Sequence, residues 1–251
     1  MNISGKSFWL VGASSGIGRS LALQLAAQGG NVAVSARNGQ ALTELQSQAQ
    51  SLPGSIHAFP LDATDREACH HTLAEIQKEL GPVNISVLNA GVYQPMTVSD
   101  FNAQTCEHIF TVNVMSTINC LEALLQKVEG LEQILITGSV AGYRGLPLAG
   151  AYGASKAALI NLAEGFRSGF LKRGIQLRVI NPGFVETPMT AKNTFKMPAL
   201  ISSDDAAKAI IAGLSKSGFE ITFPKRFTWW LKLLRILPYY CYFPLLKRLN
   251  T

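Results

Sequence analysis

Short apolar runs alternate with longer amphipathic stretches along most of the chain, and this alternation already predicts an architecture. Residues 8–11, Phe-Trp-Leu-Val, are continuously apolar and stop at Gly12, as a buried strand does. Residues 19–28 follow with Leu21, Ala22 and Leu25 at helical spacing, and Gly29-Gly30 ends that helix. The same reading gives strands over 31–36, 56–61, 85–88, 133–137, 177–180 and 220–223. Between them it places helices over 40–51, 67–80, about 101–128, about 152–173 and 204–215.

Strands that are apolar throughout are buried on both faces, which is the pattern of a parallel sheet. Helices between successive strands then supply the crossovers, and their right-handedness yields a doubly wound α/β sheet with helices on both faces. No internal repeat, linker or shift of composition interrupts the pattern before Phe219. The expected organisation is one domain over residues 1–224 and a tail over 225–251.

Composition agrees with a folded core. Of the 251 residues, 47% are hydrophobic and 15% charged, the reverse of a disordered chain. Charge is uneven: from Phe219 onward Lys225, Arg226, Lys232, Arg235, Lys247 and Arg248 face one acid, Glu220, so that segment carries +5 of the net +6. The body is therefore close to neutral, and it lacks the basic folded surface and stacking aromatics of a nucleic-acid binder. Cys69, Cys106, Cys120 and Cys241 are too widely spaced for a metal knuckle or a redox motif and read as reduced thiols. His70-His71 has no further ligand at helical or hairpin spacing, so no metal is expected. Residues 1–7 hold no long apolar run, and the first strand starts almost at once, which argues against a cleaved signal and for the cytoplasm.

The turn after the first strand reads Gly12-Ala13-Ser14-Ser15-Gly16-Ile17-Gly18. Gly12 permits a tight turn, Gly16 a close approach to a pyrophosphate, and Gly18 close packing of helix on strand. The helix that follows offers free N–H groups and a positive dipole end, so Ser14, Ser15 and Ile17 join the glycines as expected phosphate neighbours. The second strand ends Val34-Ser35-Ala36-Arg37, without the acid that would hold ribose hydroxyls and repel a 2′-phosphate. Arg37 is either a solvated surface cation or the bidentate partner of that phosphate, which favours NADP over NAD.

Tyr152 and Lys156 stand four apart at the start of a predicted helix and share one face. A neighbouring ammonium favours a phenolate, so Tyr152 is expected to trade protons with a substrate oxygen. Ser139 follows the strand 133–137, where a parallel sheet places its ligand, and its hydroxyl can donate to a carbonyl oxygen as charge develops there.

With these residues in place, the chain resembles the classical short-chain dehydrogenase/reductase family from about Lys6 to Pro224, with its Rossmann-type sheet. Gly12, Gly16 and Gly18 match the family's cofactor turn, and Asp62 matches the acid after the third strand that contacts adenine. Leu88-Asn89-Ala90-Gly91 matches an Asn-Asn-Ala-Gly motif, with Leu88 in place of its first Asn. Asn113 matches the helix asparagine that holds a water in the family's proton relay, and Ser139, Tyr152 and Lys156 match the other three of its catalytic four. Tyr152 lies 13 residues after Ser139, the family's usual interval. Asn181-Pro182-Gly183 and Val185-Glu186-Thr187 match the loop beside the nicotinamide, where Thr187 binds the carboxamide or a phosphate. The resemblance implies reversible hydride transfer between NADP(H) and a carbonyl/alcohol pair, Lys156 on the nicotinamide ribose, and a homo-oligomer. An epimerase or dehydratase of the family's extended branch, and a cofactor-sensing protein of the same fold, are the rivals.

Residues 188–201 correspond to the family's variable substrate loop and hold Met189, Phe195, Met197, Leu200 and Ile201. They suit a lipophilic substrate or simply pack on the domain. In the tail, residues 227–237 read as a helix on which Lys225, Thr228, Lys232 and Arg235 share a narrow polar arc, and Pro238 ends it. Trp and Tyr flanked by Lys and Arg suit a peripheral contact with a membrane surface through residues 225–251. An oligomer interface or a cover over the substrate mouth is the alternative.

Overall fold

The computed structural model describes residues 2–193 and 195–249, and the side chains of residues 248 and 249 lie outside that description. The strands are β1 (Ser7–Val11), β2 (Asn31–Ser35), β3 (Ser55–Ala58), β4 (Ile85–Leu88), β5 (Gln133–Thr137), β6 (Gln176–Pro182) and β7 (Glu220–Phe223). The helices are α1 (Gly16–Ala27), α2 (Gly39–Gln48), α3 (Arg66–Leu80), α4 (Ala103–Phe110), α5 (Ser116–Gln126), α6 (Gly150–Lys172), α7 (Ser203–Leu214), α8 (Lys225–Ile236) and α9 (Tyr239–Leu249).

All seven strands form one parallel sheet in the order β3-β2-β1-β4-β5-β6-β7. Successive strand side chains enter opposite layers, which is why the strands read as unbroken apolar runs. Phe8, Leu10, Val32, Val34 and Leu135 pack toward α1, α2 and α7. Trp9, Val11, Ala33, Ile134 and Ile136 pack toward α3, α5 and α6. The doubly wound sheet is thus as expected, and β1 beside β4 marks the point where strand order reverses.

The single helix expected over about 101–128 is instead α4 and α5 joined by a π-helical turn, Thr111–Met115. The wider turn turns Asn113 fully inward, where its carboxamide is held by main-chain groups. Hydrophobic spacing cannot report such a turn, because the apolar face continues on both sides of it. The run Ala103–Gln126 is long and apolar enough by composition to cross a membrane, but it packs as a core helix, with α5 against α3 and α4 against α6.

The tail departs from the single helix expected over 227–237. It holds a second helix, α9, with Pro244 inside it. In addition, part of the polar arc of α8 is tied to the body: Thr228 is buried and Lys232 pairs with Glu220, while Lys225 stays exposed. Phe227 and Leu231 pack on Val140, Tyr143 and Ile160, so the tail is bound to the body beside the end of β5.

Candidate active site

The carboxyl ends of β1, β4, β5 and β6 open into one cleft, at the place where a doubly wound sheet binds its ligands. Gly12, Ser14, Ser15, Gly16 and Ile17 line it on one side, Asn89, Ala90 and Gly91 at its floor, and Ser139, Tyr152 and Lys156 on the other. Pro182, Gly183, Val185 and Thr187 close it above β6.

Each glycine of the turn has a steric reason. Gly12 has φ +87°, and a Cβ there would lie 2.5 Å from the Ala90 nitrogen. Gly16 has φ +53° and faces the Thr187 methyl group, and Gly18 lies against the Gly12 carbonyl, which fixes α1 on β1. Asn89 ties the turn to β4, its Nδ2 donating to the Gly12 oxygen at 3.0 Å. Side chains of Asn38, Asp65 and Ser202 cap α2, α3 and α7, whereas Ser15 makes no side-chain cap on α1 and its first turn holds no acid. The N–H groups of α1 therefore face the cleft without a competing carboxylate, and the turn fits a pyrophosphate.

A second pocket continues from the glycine turn past Arg37, Asn38, Asp62, Ala63 and Thr64. It fits the adenosine half of a dinucleotide. Asp62 accepts from the Thr64 nitrogen at 3.0 Å and its hydroxyl at 2.8 Å. These bonds, and then the Arg37 charge, hold its carboxyl below the usual range. Arg37 is exposed at the rim of this pocket.

Ser139 caps the short turn Val140–Gly142, and Tyr152 and Lys156 enter the same space from α6. The Lys156 Nζ is buried, donates to the Thr137 oxygen at 2.7 Å and stands 5.8 Å from the centre of the Tyr152 ring. Asn113 accepts from the Val92 nitrogen at 2.7 Å and donates to the Val92 oxygen at 3.1 Å and Ser155 Oγ at 2.9 Å. Its side chain thus ties the segment after Gly91 to α6, one residue from Lys156.

The charges of the site differ from the sequence expectation. Burial pushes the Tyr152 phenol up to about 12, although its hydrogen bond with Ser139 works the other way. Burial also pulls the Lys156 ammonium down to about 8. Burial works toward the neutral form of both groups: the phenol keeps its proton throughout the neutral range, whereas the ammonium keeps its charge below about 8, and desolvation sets the direction of the phenol's shift.

Sequence reading did not single out Tyr93, whose ring meets that of Tyr152 edge-on at 5.0 Å, or Thr137, whose carbonyl orients Lys156. Nothing in their local spacing marks either, since one is a loop tyrosine and the other acts through its main chain. The loop after Thr187 is pinched at its base, where Val185 bridges Ile201, and Pro188, Met189 and Thr190 reach the cleft. Cys69 and Cys120, which sequence distance treats as unrelated, meet as buried thiols with sulfurs 3.8 Å apart. Among the described residues no three His, Cys, Asp or Glu side chains converge as metal ligands.

Comparison with known proteins fits this geometry. Residues 6–197 match the short chain dehydrogenase family. An uncharacterized oxidoreductase of Myxococcus xanthus is 33% identical over 231 residues, covering 91% of each chain. A short chain dehydrogenase from Burkholderia cenocepacia, solved with NADP, superposes with TM-score 0.79 at 24% identity over 88% of this chain and 97% of the other. One from Burkholderia phymatum, solved with NAD, superposes with TM-score 0.83 at 20% identity over 93% and 94%.

Proposed function

This chain belongs to the short chain dehydrogenase family of oxidoreductases, and on that premise we propose that it interconverts a carbonyl and an alcohol with NADP(H), Tyr152 moving the proton. The observation that carries the reading is the meeting of Ser139, Tyr152 and Lys156 in one cleft with the glycine turn.

Gly12, Ser14, Ser15, Gly16, Ile17 and Gly18 would hold the pyrophosphate, Asp62 the adenosine, and Asn89, Ala90, Gly91, Pro182, Gly183, Val185 and Thr187 the nicotinamide half. A nicotinamide held there would supply or accept the hydride. Tyr152 is protonated throughout the neutral range and can hand its proton to a carbonyl oxygen as that oxygen gains charge. Ser139 donates a hydrogen bond to the same oxygen. Lys156, with its pKa near 8, is mostly cationic at neutral pH, and its charge assists the phenolate that the step leaves. Asn113 positions Lys156 by holding the Gly91–Val92 segment against α6.

The preference for NADP rests on Arg37, which stands after β2 where no acid is present. A lipophilic substrate is supported by the loop over the cleft, where Met189 reaches the cleft, Phe195 packs edge-on against Phe184, and Leu200 is exposed. Self-association would cover Phe110, Met115, Phe166 and Leu171, which are exposed on α4, α6 and the π turn between α4 and α5.

The test is NADPH oxidation with a panel of ketones of rising chain length, repeated with Tyr152→Phe. The expected result is turnover that falls by roughly 10²–10⁴-fold in the variant while NADPH binding is unchanged. Tight NADPH binding without turnover of any carbonyl would overturn the enzyme reading and favour a cofactor sensor.

A further inference from the structure

Both tail helices leave large apolar side chains outward even though Phe227, Leu231 and Tyr242 pack on the body, and contacts to the body fix that orientation. On α8, Lys232 pairs with Glu220, Arg235 reaches Glu164 at 3.9 Å, and Thr228 is buried. Arg144 closes the end of α8, donating to the Leu234 oxygen at 2.7 Å and to that of Leu237. The same guanidinium lies 3.8 Å from the centre of the Tyr242 ring, and the Tyr242 hydroxyl donates to the Gly145 oxygen. With the helices held in this way, Trp229, Trp230, Ile236, Tyr239, Tyr240 and Phe243 are left between 57% and 80% exposed. A single exposed ring is ordinary, but six large apolar side chains on two consecutive helices form a face that needs a cover.

Charge selects the cover. Lys225, Arg226 and Lys247 are exposed on the same two helices, within a segment carrying +5. A two-fold pairing of this face with a second copy would set these cations against themselves. An anionic bilayer would attract them. The helices have 12 and 11 residues and are separated by Pro238, so neither can cross a hydrocarbon core of roughly 30 Å. Trp and Tyr beside Lys and Arg are the composition of a helix lying in the headgroup region.

We propose that α8 and α9 form a preset docking face for an anionic lipid surface, such as the cytoplasmic leaflet, with these six side chains at headgroup depth and the cations on the phosphates. The inference is independent of the reaction assigned above. It differs from an ordinary amphipathic anchor in that the helices are already folded and oriented before they meet lipid.

The chain provides its own reporter. Of its three tryptophans Trp9 is fully buried, so only Trp229 and Trp230 can meet a quencher in the bilayer. The full chain is mixed with phosphatidylcholine vesicles, with and without phosphatidylserine, and with vesicles containing brominated phosphatidylcholine. Flotation with the anionic vesicles, loss of tryptophan emission in the brominated ones and weakening by salt are expected. Trp229→Ser with Trp230→Ser should lower vesicle binding by roughly tenfold or more, and Lys225→Glu with Arg226→Glu by a similar factor. Both variants should keep the unfolding temperature of the unsubstituted chain. No flotation and no quenching of the full chain would overturn the proposal. So would a tryptophan variant that binds vesicles normally but sediments as a smaller species, since the cover would then be a second copy. If a variant fails to fold, quenching of the unsubstituted chain decides alone.

Discussion

Lys156 is tethered to the last carbonyl of β5, its Nζ donating to Thr137 rather than to any carboxylate. A neutral acceptor satisfies one of the three N–H donors without compensating the charge, so burial controls the titration. The sheet thereby sets both the position of the amine and its weakened basicity.

This tether gives stability a distinct pH profile. Below pH 8 Lys156 is charged whether the chain is folded or not, and the fold bears the cost of that buried charge. Between about 8 and 10.5 the folded chain loses the proton and the unfolded chain keeps it, so unfolding free energy rises with pH. The full rise is on the order of 3 kcal/mol. From 10 to about 12 Tyr152 acts oppositely, since the folded chain keeps a proton that the unfolded chain has lost. Urea unfolding at a series of pH values should show the lower rise in the unsubstituted chain and its absence in Lys156→Met. Equal slopes in the two proteins would refute the tether's role.

Arg37 should decide between the two nicotinamide dinucleotides. Arg37→Asp removes the cation proposed to pair with the 2′-phosphate and places an acid at the end of β2. The KM for NADPH should rise by roughly tenfold to a hundredfold while that for NADH is unchanged or lower. Equal changes for both cofactors would mean that Arg37 is only a surface cation.

Glu220 braces two walls of the cleft at once. Its Oε1 accepts from Tyr143, in the turn after Ser139, and from Asn181 at 2.6 Å, just before Pro182-Gly183. Lys232 of α8 pairs with its other oxygen. Burial raises its pKa, but these partners outweigh burial and hold the carboxyl below its usual range. Glu220→Ala leaves buried donors unpaired and should lower stability by about 1–3 kcal/mol. Thermal unfolding reads the loss, and limited proteolysis should cut the tail sooner. A variant as stable as the parent, with an equally resistant tail, would show that the tail is held elsewhere.

Gly12→Ala should be poorly tolerated. The positive φ costs about 1–3 kcal/mol in alanine, and the added methyl would collide with the Asn89-Ala90 main chain. A lower unfolding temperature and weakened NADPH binding are expected. Normal binding would mean that the turn moves freely away from β4.

The sheet, its order-defining crossovers and the glycine turn were visible in the sequence because each rests on local pattern: unbroken apolar strands, helical spacing and glycine at steric contacts. Tyr152 and Lys156 were visible for the same reason, since four residues on a helix fix a shared face. Asn113 was named, but the π turn that aims it was not, because that turn follows from its capture by the Val92 main chain across 21 residues. The direction of the Tyr152 shift depends on how much water the folded cleft excludes, which no motif records. Helical spacing predicts the polar arc of α8, but not how the helix lies on the body, which rests on Glu220 and Arg144, distant in sequence. Likewise the meeting of Cys69 with Cys120 depends on how α3 packs on α5.

Arg144 has a practical consequence. The residue that locks the end of α8 stands eight positions before Tyr152, on the segment that delivers the phenol to the cleft. A fusion partner or affinity handle added at the carboxyl end would drag on α9, and that load would pass through Arg144 toward the start of α6. Handles for purification or immobilisation are therefore better placed away from α9.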